Sequence, residues 1–163
     1  LLSHDLIVGS INADTLRSGI GDTLYGGLGD DSMWGTIGED AYIFNRGDGE
    51  DTILEYQTLY YSTPAGYVQK PVDKIYLGDG ITTGDVAFTK IGQDLSVNLG
   101  SGDKIYLKDF YTIKQVAAGS NIYNYDYKTE LLKFSNGSEI DLSQIQYLSG
   151  TSGNESLTGT GAV

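Results

Sequence analysis

The chain has 163 residues, with 10 basic and 22 acidic side chains and a formal net charge of −12. A surface this anionic excludes nucleic acids and anionic membranes as natural partners, because both require a cationic footprint. The length suffices for one domain with a sizeable core, and the absence of cysteine excludes disulfides and thiolate–metal sites.

The apolar runs and the start of the chain indicate how it is organised. No apolar run approaches the ~18 residues of a membrane-spanning helix, so we expect no membrane span. The chain starts without methionine and without an export signal segment. We therefore expect it to be a piece cut from a longer protein.

Negative charge is concentrated in residues 1–55. This part holds eleven carboxylates against only Arg17 and Arg46, a net charge of −9, whereas the rest of the chain carries −3. A glycine-rich segment with this much like charge repels itself and stays unfolded unless something neutralises it. The charge pattern therefore predicts that the first third of the chain binds cations.

The same part of the chain is built from a short repeat close to G-G-x-G-x-D-x-U-x, in which U is a large apolar residue. A fixed short period predicts a solenoid, in which each unit covers the apolar face of its neighbour. The rows are GSINADTLR (9–17), SGIGDTLY (18–25), GGLGDDSMW (26–34), GTIGEDAYI (35–43), RGDGEDTIL (46–54) and, near the end, GTSGNESLT (150–158). Their U positions are Leu16, Leu24, Met33, Tyr42, Ile53 and Leu157.

Each part of the row has a physical role. Glycine tolerates a positive φ, so that G-G-x-G can turn sharply and aim its carbonyl groups inward. The aspartate at position six adds a hard oxygen ligand, and Ca²⁺ binds about 6–8 such oxygens in flexible geometry. The x-U-x part is a very short strand with one side chain directed into the core. The row therefore predicts a metal-binding turn followed by a strand.

These rows resemble the nonapeptide repeats of the RTX (repeats in toxin) family. The resemblance implies an all-β fold, a calcium-bound parallel β-roll that is continued and capped by a β-rich flanking lobe. Residues 56–148 resemble the haemolysin-type calcium-binding-related segment that flanks such repeats. We accordingly expect repeats at 1–55, a capping lobe at 56–148 and the start of a further repeat block at 149–163.

The register of the rows predicts which acids lie together. If each row is half a coil, turns on the same edge recur every second row, and each adjacent pair of acids brackets a site, giving up to about four Ca²⁺ ions. Because stacked carboxylates repel, we expect the coils to form only with metal. On the first edge the stacked acids are Asp5, Asp22 and Asp40, with turn residues Gly19, Gly21, Gly35 and Gly38. On the second edge they are Asp14, Asp31 and Asp51, with turn residues Gly9, Asn12, Gly26, Gly27, Gly29, Gly47 and Gly49.

The second half reads as strands separated by Gly, Asp or Asn clusters. Asn136-Gly137 predicts a hairpin, and residues 112–120 predict a short helix that stops at Gly119. The predicted strands are Ile75–Leu77, Val86–Thr89, Leu95–Leu99, Lys104–Phe110, Ile122–Lys128, Leu131–Phe134 and Glu139–Leu142.

The resemblance implies a calcium-binding module of a large secreted bacterial protein of toxin or adhesin type. Such a module leaves the cell unfolded through the type I secretion apparatus and folds on binding calcium outside. Its partners would be calcium, the rest of a longer chain and this apparatus, with a host cell surface as a further candidate. We expect no enzymatic activity within this fragment.

Two alternatives remain open at this stage. The tyrosine-rich second half could bind a host glycan, lipid or protein, with the repeats as a spacer. The chain could instead belong to a self-processing protease or form the tail of a secreted hydrolase. Arg46-Gly47-Asp48 spells an adhesion tripeptide, but it lies within a repeat turn, which favours a purely structural role.

Overall fold

The computed structural model describes residues 4–36, 38–58, 71–118, 121–145 and 156–157. These residues form short strands and two 3₁₀ turns, at Thr83–Asp85 and Leu142–Gln144. No helix in the described ranges is long and apolar enough to cross a membrane. The strands in chain order are β1 (Leu6–Val8), β2 (Thr15–Arg17), β3 (Thr23–Tyr25), β4 (Ser32–Trp34), β5 (Ala41–Phe44), β6 (Glu50–Leu54), β7 (Gln57–Thr58), β8 (Lys74–Leu77), β9 (Ala87–Ile91), β10 (Asp94–Gly100), β11 (Asp103–Leu107), β12 (Ile113–Ala118), β13 (Asn121–Asp126), β14 (Leu131–Phe134), β15 (Glu139–Asp141) and β16 (Ser156–Leu157).

Two large sheets share the repeat strands alternately. The first sheet has the order β1-β3-β5-β8-β14-β15, and the second has the order β16-β9-β10-β11-β6-β4-β2. Each row turn therefore carries the chain from one sheet to the other. The repeat strands pair in parallel, with Leu24 opposite Tyr42 in the first sheet and Met33 opposite Ile53 in the second. The U positions of alternate rows thus lie side by side.

The parallel β-roll expected for this chain is wrong, because both large sheets are open and mix parallel with antiparallel pairs. Strands β9, β10 and β11 pair antiparallel within the second sheet, and β15 pairs antiparallel with β14 in the first. The cause is loop length. The two-residue loops at 92–93 and 101–102 return the chain along the strand just completed, which permits only antiparallel pairing.

A single apolar core connects the repeat strands with the second half. The U residues Leu24, Met33, Tyr42 and Ile53 are at most 1% exposed, which confirms their predicted inward orientation. Leu16 packs against the same core but is only partly buried. The second half contributes further buried side chains to this cluster, including Ile75, Leu95, Leu99, Ile105, Phe110 and Leu132. The repeat strands and the later strands are therefore stabilised by one hydrophobic interior.

Most strands predicted in the second half are present, with shifted ends. The predicted strand at Leu131–Phe134 is found as such, and β14 and β15 form the predicted hairpin around Asn136-Gly137. The helix predicted at 112–120 is wrong, since Ile113–Ala118 is a strand that pairs antiparallel with β13. An isolated helix this short is marginal, and a neighbouring strand supplies backbone partners at once. Strand β13 in turn pairs with β7 in a small third sheet.

The described part of the final segment is the two-residue strand β16. It pairs antiparallel with β9 at the edge of the second sheet, with Ser156 opposite Thr89. The apolar residue of the last row, Leu157, lies opposite Phe88 in this pair. The described strand of this row thus extends the antiparallel part of the second sheet.

Candidate metal centre

The three acids predicted for the first edge lie in one column. The backbone N–H of Asp5 donates to Oδ1 of Asp22 at 2.9 Å, and the N–H of Asp22 donates to Oδ1 of Asp40 at 2.8 Å. Asp22 and Asp40 are buried. The structure thus brings these acids together in the order that the repeat register predicts, each acid accepting from the one before it.

This first column continues past the repeats, beyond the acids that the repeat register predicts. The N–H of Asp40 donates to Oδ1 of Asp73 at 2.8 Å, and the N–H of Asp73 donates to Oε2 of Glu130 at 2.9 Å. A signal was present, because Asp73-Lys74-Ile75 and Glu130-Leu131-Leu132 repeat the acid-x-apolar part of a row. Strand pairing accordingly aligns the apolar residue of each with the U residue of the row before.

The acids predicted for the second edge form a shorter column. The N–H of Asp14 donates to Oδ1 of Asp31 at 2.7 Å, and the N–H of Asp31 donates to Oδ1 of Asp51 at 3.0 Å. The column ends there, since the next strand, β11, places Ile105 opposite Asp51. Asp103-Lys104-Ile105 has the same acid-x-apolar pattern. Strand β11 is shifted by two residues relative to β6, however, so that Ile105 and not Asp103 lies opposite Asp51.

The turn glycines are required for two separate reasons. Gly27 and Gly29 have φ values of 98° and 116°, in the left-handed region that disfavours side chains. A side chain at Gly26 would instead collide with Oδ2 of Asp31. Asn12, at a glycine position of its row, is not among the residues with positive φ. The other predicted turn residues occupy the corresponding loops, at Gly9, Gly19, Gly21, Gly35, Gly38, Gly47 and Gly49.

Position two of the row decides whether the acid at position six is capped within its own turn. Asp14 Oδ2 accepts the N–H of Ser10 at 2.6 Å and its hydroxyl at 2.7 Å, and these bonds lower the pKa of Asp14. Asp40 Oδ2 likewise accepts the N–H of Thr36 at 2.8 Å. Asp22 Oδ2 accepts the N–H of Gly19 in the same way. In these three turns the second carboxylate oxygen is occupied.

The two remaining turns leave that oxygen without a donor. Their position-two residues are Gly27 and Gly47, both with positive φ, and the N–H of Gly47 donates to the Asp103 carboxylate instead. Within the described residues, Oδ2 of Asp31 and Oδ2 of Asp51 are buried and have no hydrogen-bond partner. A buried polar atom without a partner is strongly unfavourable, so these oxygens require a proton, a cation or a water molecule.

Burial also makes the charged form of these acids unfavourable. It is the main cause that raises the pKa of Asp51 to about 7, and the neighbouring Asp31 and Asp48 carboxylates add to the effect. Burial likewise raises the pKa of Asp31 and of Asp48. Hard carboxylate oxygens beside glycine turns are the donors that Ca²⁺ prefers. Asp31 and Asp51 therefore offer buried oxygen donors of the type that Ca²⁺ prefers.

Arg46-Gly47-Asp48 is committed to contacts inside the protein. The Arg46 guanidinium donates to the carbonyl groups of Leu99, Gly80 and Gly100, the last two at 2.9 and 3.2 Å. It also lies 3.6 Å from the buried Asp103 carboxylate. Asp48 is only 2% exposed. This tripeptide is therefore structural, as its place in a repeat turn indicates.

A shallow groove of about 530 Å³ lies over strands β3, β5 and β8. Its lining includes one tyrosine, whereas a pocket lined by several tyrosines would favour the alternative that the second half binds a host ligand. The tyrosine-rich stretches 56–62 and 123–127 lie largely outside the described side chains. The lining residues are Thr23, Ala41, Ile43, Asn45, Tyr76, Leu77 and Gly78.

The chain matches no protein-family model, and no curated protein matches its sequence. The resemblance to RTX repeats therefore depends on the rows themselves. What the site can do chemically follows from the geometry of its acids.

Proposed function

We propose that this chain is a calcium-binding module of a larger secreted bacterial protein of RTX type. The module stays unfolded at the low free calcium of the cytosol and leaves the cell through a type I secretion apparatus. It folds outside, where calcium fills the turns between stacked acids. Its role is to make folding depend on export.

One observation carries this proposal, namely the pair of buried carboxylate oxygens on Asp31 and Asp51 that have no hydrogen-bond partner. Both acids belong to rows with a glycine of positive φ at position two, where the turn does not cap the carboxylate. A bound Ca²⁺ would satisfy both oxygens and neutralise their charge. Metal binding and folding are then one equilibrium, because the unfolded chain does not hold these ligands together.

The affinity expected for such turns explains the dependence on compartment. Extracellular calcium modules bind with dissociation constants of about 10⁻⁴–10⁻³ M. Sites of this affinity are empty in the cytosol and fill outside the cell by mass action. The net charge of −9 in residues 1–55 then opposes folding inside the cell and is neutralised outside.

The direct test is a calcium titration followed by far-UV circular dichroism. We expect excess chelator to abolish most of the β-structure of residues 1–55, and calcium to restore it. Magnesium should not substitute, because it demands tighter octahedral geometry and dehydrates reluctantly. An unchanged spectrum in excess chelator would contradict the proposal.

A double variant locates the effect. Asp31→Asn with Asp51→Asn should raise the calcium midpoint at least about tenfold, the equivalent of ~1.4 kcal/mol. Asp79→Asn, a matched change at an exposed aspartate outside both columns, should leave the midpoint unchanged. Equal midpoints for all three proteins would show that calcium acts elsewhere.

A further inference from the structure

Three acids from different parts of the chain meet inside the fold. Asp40, Glu55 and Asp73 each offer a carboxylate oxygen, and these three oxygens lie within 4.8 Å of one another. Each residue is at most 1% exposed. Neither Glu55 nor Asp73 belongs to the ligand set that the repeats predict. The cluster lies on the first edge, where the last repeat turn meets strand β8.

The fold places Glu55 at a position that glycine or serine occupies in earlier rows. The N–H of Gly35 donates to the carbonyl of Leu54 at 2.9 Å, just as the N–H of Ser18 donates to the carbonyl of Trp34 at 2.9 Å. Glu55 thus stacks beneath Gly35. A side chain at Gly35 would collide with Oε2 of Glu55, so this oxygen faces the turn that ends at Asp40.

The second oxygen of Glu55 has no partner within the described residues. The Tyr42 hydroxyl donates to Oε1, whereas Oε2 is buried and accepts nothing. The hydroxyl oxygen of Thr129, the residue before Glu130, is also buried and has no partner within the described residues. Lys74, adjacent to Asp73, pairs with Glu39 at 3.1 Å on the exposed side. The cluster thus combines several acids with an unsatisfied, inward-facing oxygen.

We propose that Asp40, Glu55 and Asp73 bind one calcium ion inside the fold, in addition to the ions held at the turns. Three close carboxylates supply the hard, flexible oxygen ligands of Ca²⁺. Their burial favours Ca²⁺ over Mg²⁺, because Mg²⁺ usually keeps several of its waters. A single proton would neutralise only one of the three acids. Burial, with Asp73 and Asp40 nearby, raises the pKa of Glu55 well above its usual range.

This ion would join the two halves of the chain. Asp40 ends the turn before β5, Glu55 follows β6, and Asp73 precedes β8. The site therefore forms only after the segment between β6 and β8 has returned the chain to the first sheet. It differs from the turn sites in its ligands, although calcium dependence of the whole module is part of the proposed function.

The test counts bound calcium by titration calorimetry in the whole chain. Glu55→Gln keeps the shape of the side chain but removes its charge, and it should bind one calcium ion fewer than the unmodified protein. Glu139→Gln, the same change at an exposed glutamate paired with Lys133, should bind the full number. An unchanged number for Glu55→Gln would show that the cluster holds a proton only and would overturn the proposal.

The variants keep this inference separate from the proposed function. Asp31→Asn with Asp51→Asn removes ligands of the turn site alone, so it should lose calcium that Glu55→Gln retains. If only the Glu55 variant loses an ion, the interior site stands and the turn proposal fails. If only the aspartate variant loses calcium, the turn proposal stands and the interior site fails.

A second measurement needs no variant. Europium replaces calcium, and its luminescence lifetimes in H₂O and D₂O count the waters on each bound ion. The interior site should hold an ion with essentially no coordinated water, because its acids are fully buried. Coordinated water on every bound ion would overturn the proposal even if Glu55→Gln failed to fold.

Discussion

The two acid columns are built by the same hydrogen bond and end differently. The first runs from Asp5 through both halves of the chain to Glu130, and each backbone N–H donates to the next carboxylate. The second stops at Asp51, where the following strand supplies the apolar Ile105. One backbone N–H satisfies only one of two carboxylate oxygens. Each acid therefore differs in whether its second carboxylate oxygen has a hydrogen-bond donor.

The residue at position two of each row determines whether the second oxygen has a hydrogen-bond donor. Where position two of the row donates its N–H to the acid, as Ser10 does to Asp14, the acid is satisfied by its own turn. Where position two is a glycine with positive φ, as at Gly27 and Gly47, the second oxygen stays unpaired. A glycine with positive φ at position two therefore leaves the acid of its row with an unpaired oxygen, whereas a position-two N–H that donates to the acid satisfies that oxygen.

The largest expected effect is on the pH dependence of the calcium-free protein. The pKa of Asp51 is about 7 in the folded state, against an ordinary value of 3.8. Because the folded state binds this proton more tightly, stability is highest below about pH 4 and falls as the pH rises towards about 7. The shift amounts to at most about 4 kcal/mol. Lowering the pH from about 8 to about 5 in calcium-free buffer should thus increase the folded fraction seen by circular dichroism.

Asp51→Asn should remove much of this pH dependence. Asp14→Asn serves as its control, because the pKa of Asp14 is lowered by Ser10 and its titration works in the opposite direction. The same pH profile for the Asp51 variant and the unmodified protein would break the contrast between unpaired and capped acids.

A smaller effect is expected at Arg46, which begins the last turn of the second column. Arg46→Ala removes three hydrogen bonds to carbonyl groups of the second half and leaves the buried Asp103 without its cation. We expect a loss of about 2 kcal/mol in urea unfolding at saturating calcium, since bonds from charged groups contribute about 1.5–3 kcal/mol.

Arg17→Ala is the matched arginine control. Its guanidinium lies over the Trp34 ring at 4.1 Å on the exposed edge strand, a contact that contributes about 0.5–1 kcal/mol. Equal losses for the two variants would show that the Arg46 contacts do not tie the second column to the later strands.

The smallest effect compares one acid from each column without calcium, near pH 6. Asp22→Asn replaces an oxygen that accepts the N–H of Gly19, so it should lower stability by about 1 kcal/mol. Asp31→Asn removes a buried charge whose second oxygen has no partner, so it should be neutral or stabilising. The folded fraction seen by circular dichroism measures both, since the calcium-free chain is only partly folded, and a larger loss for Asp31→Asn than for Asp22→Asn would reverse the comparison.

Local features of the site could be predicted because the rows are nearly regular. The register placed Asp31 between Asp14 and Asp51, and the hydrogen bonds follow that order. The acid-x-apolar signature of Asp73 could have extended the first column, but an insertion longer than a row separates it from Asp40. Glu55 carried no local signal, because its role depends on stacking beneath Gly35 and on contact with Tyr42.

The sequence by itself determined the acidic turns, their order along each edge and the apolar residue that each row directs inward, because these depend on spacing within a few residues. Only the tertiary structure decided that the sheets are mixed and open, that the first column continues to Glu130 and that three distant acids converge. The reason is that short hairpin loops and a long insertion choose each strand's neighbour. Spacing within the rows contains no information about that choice.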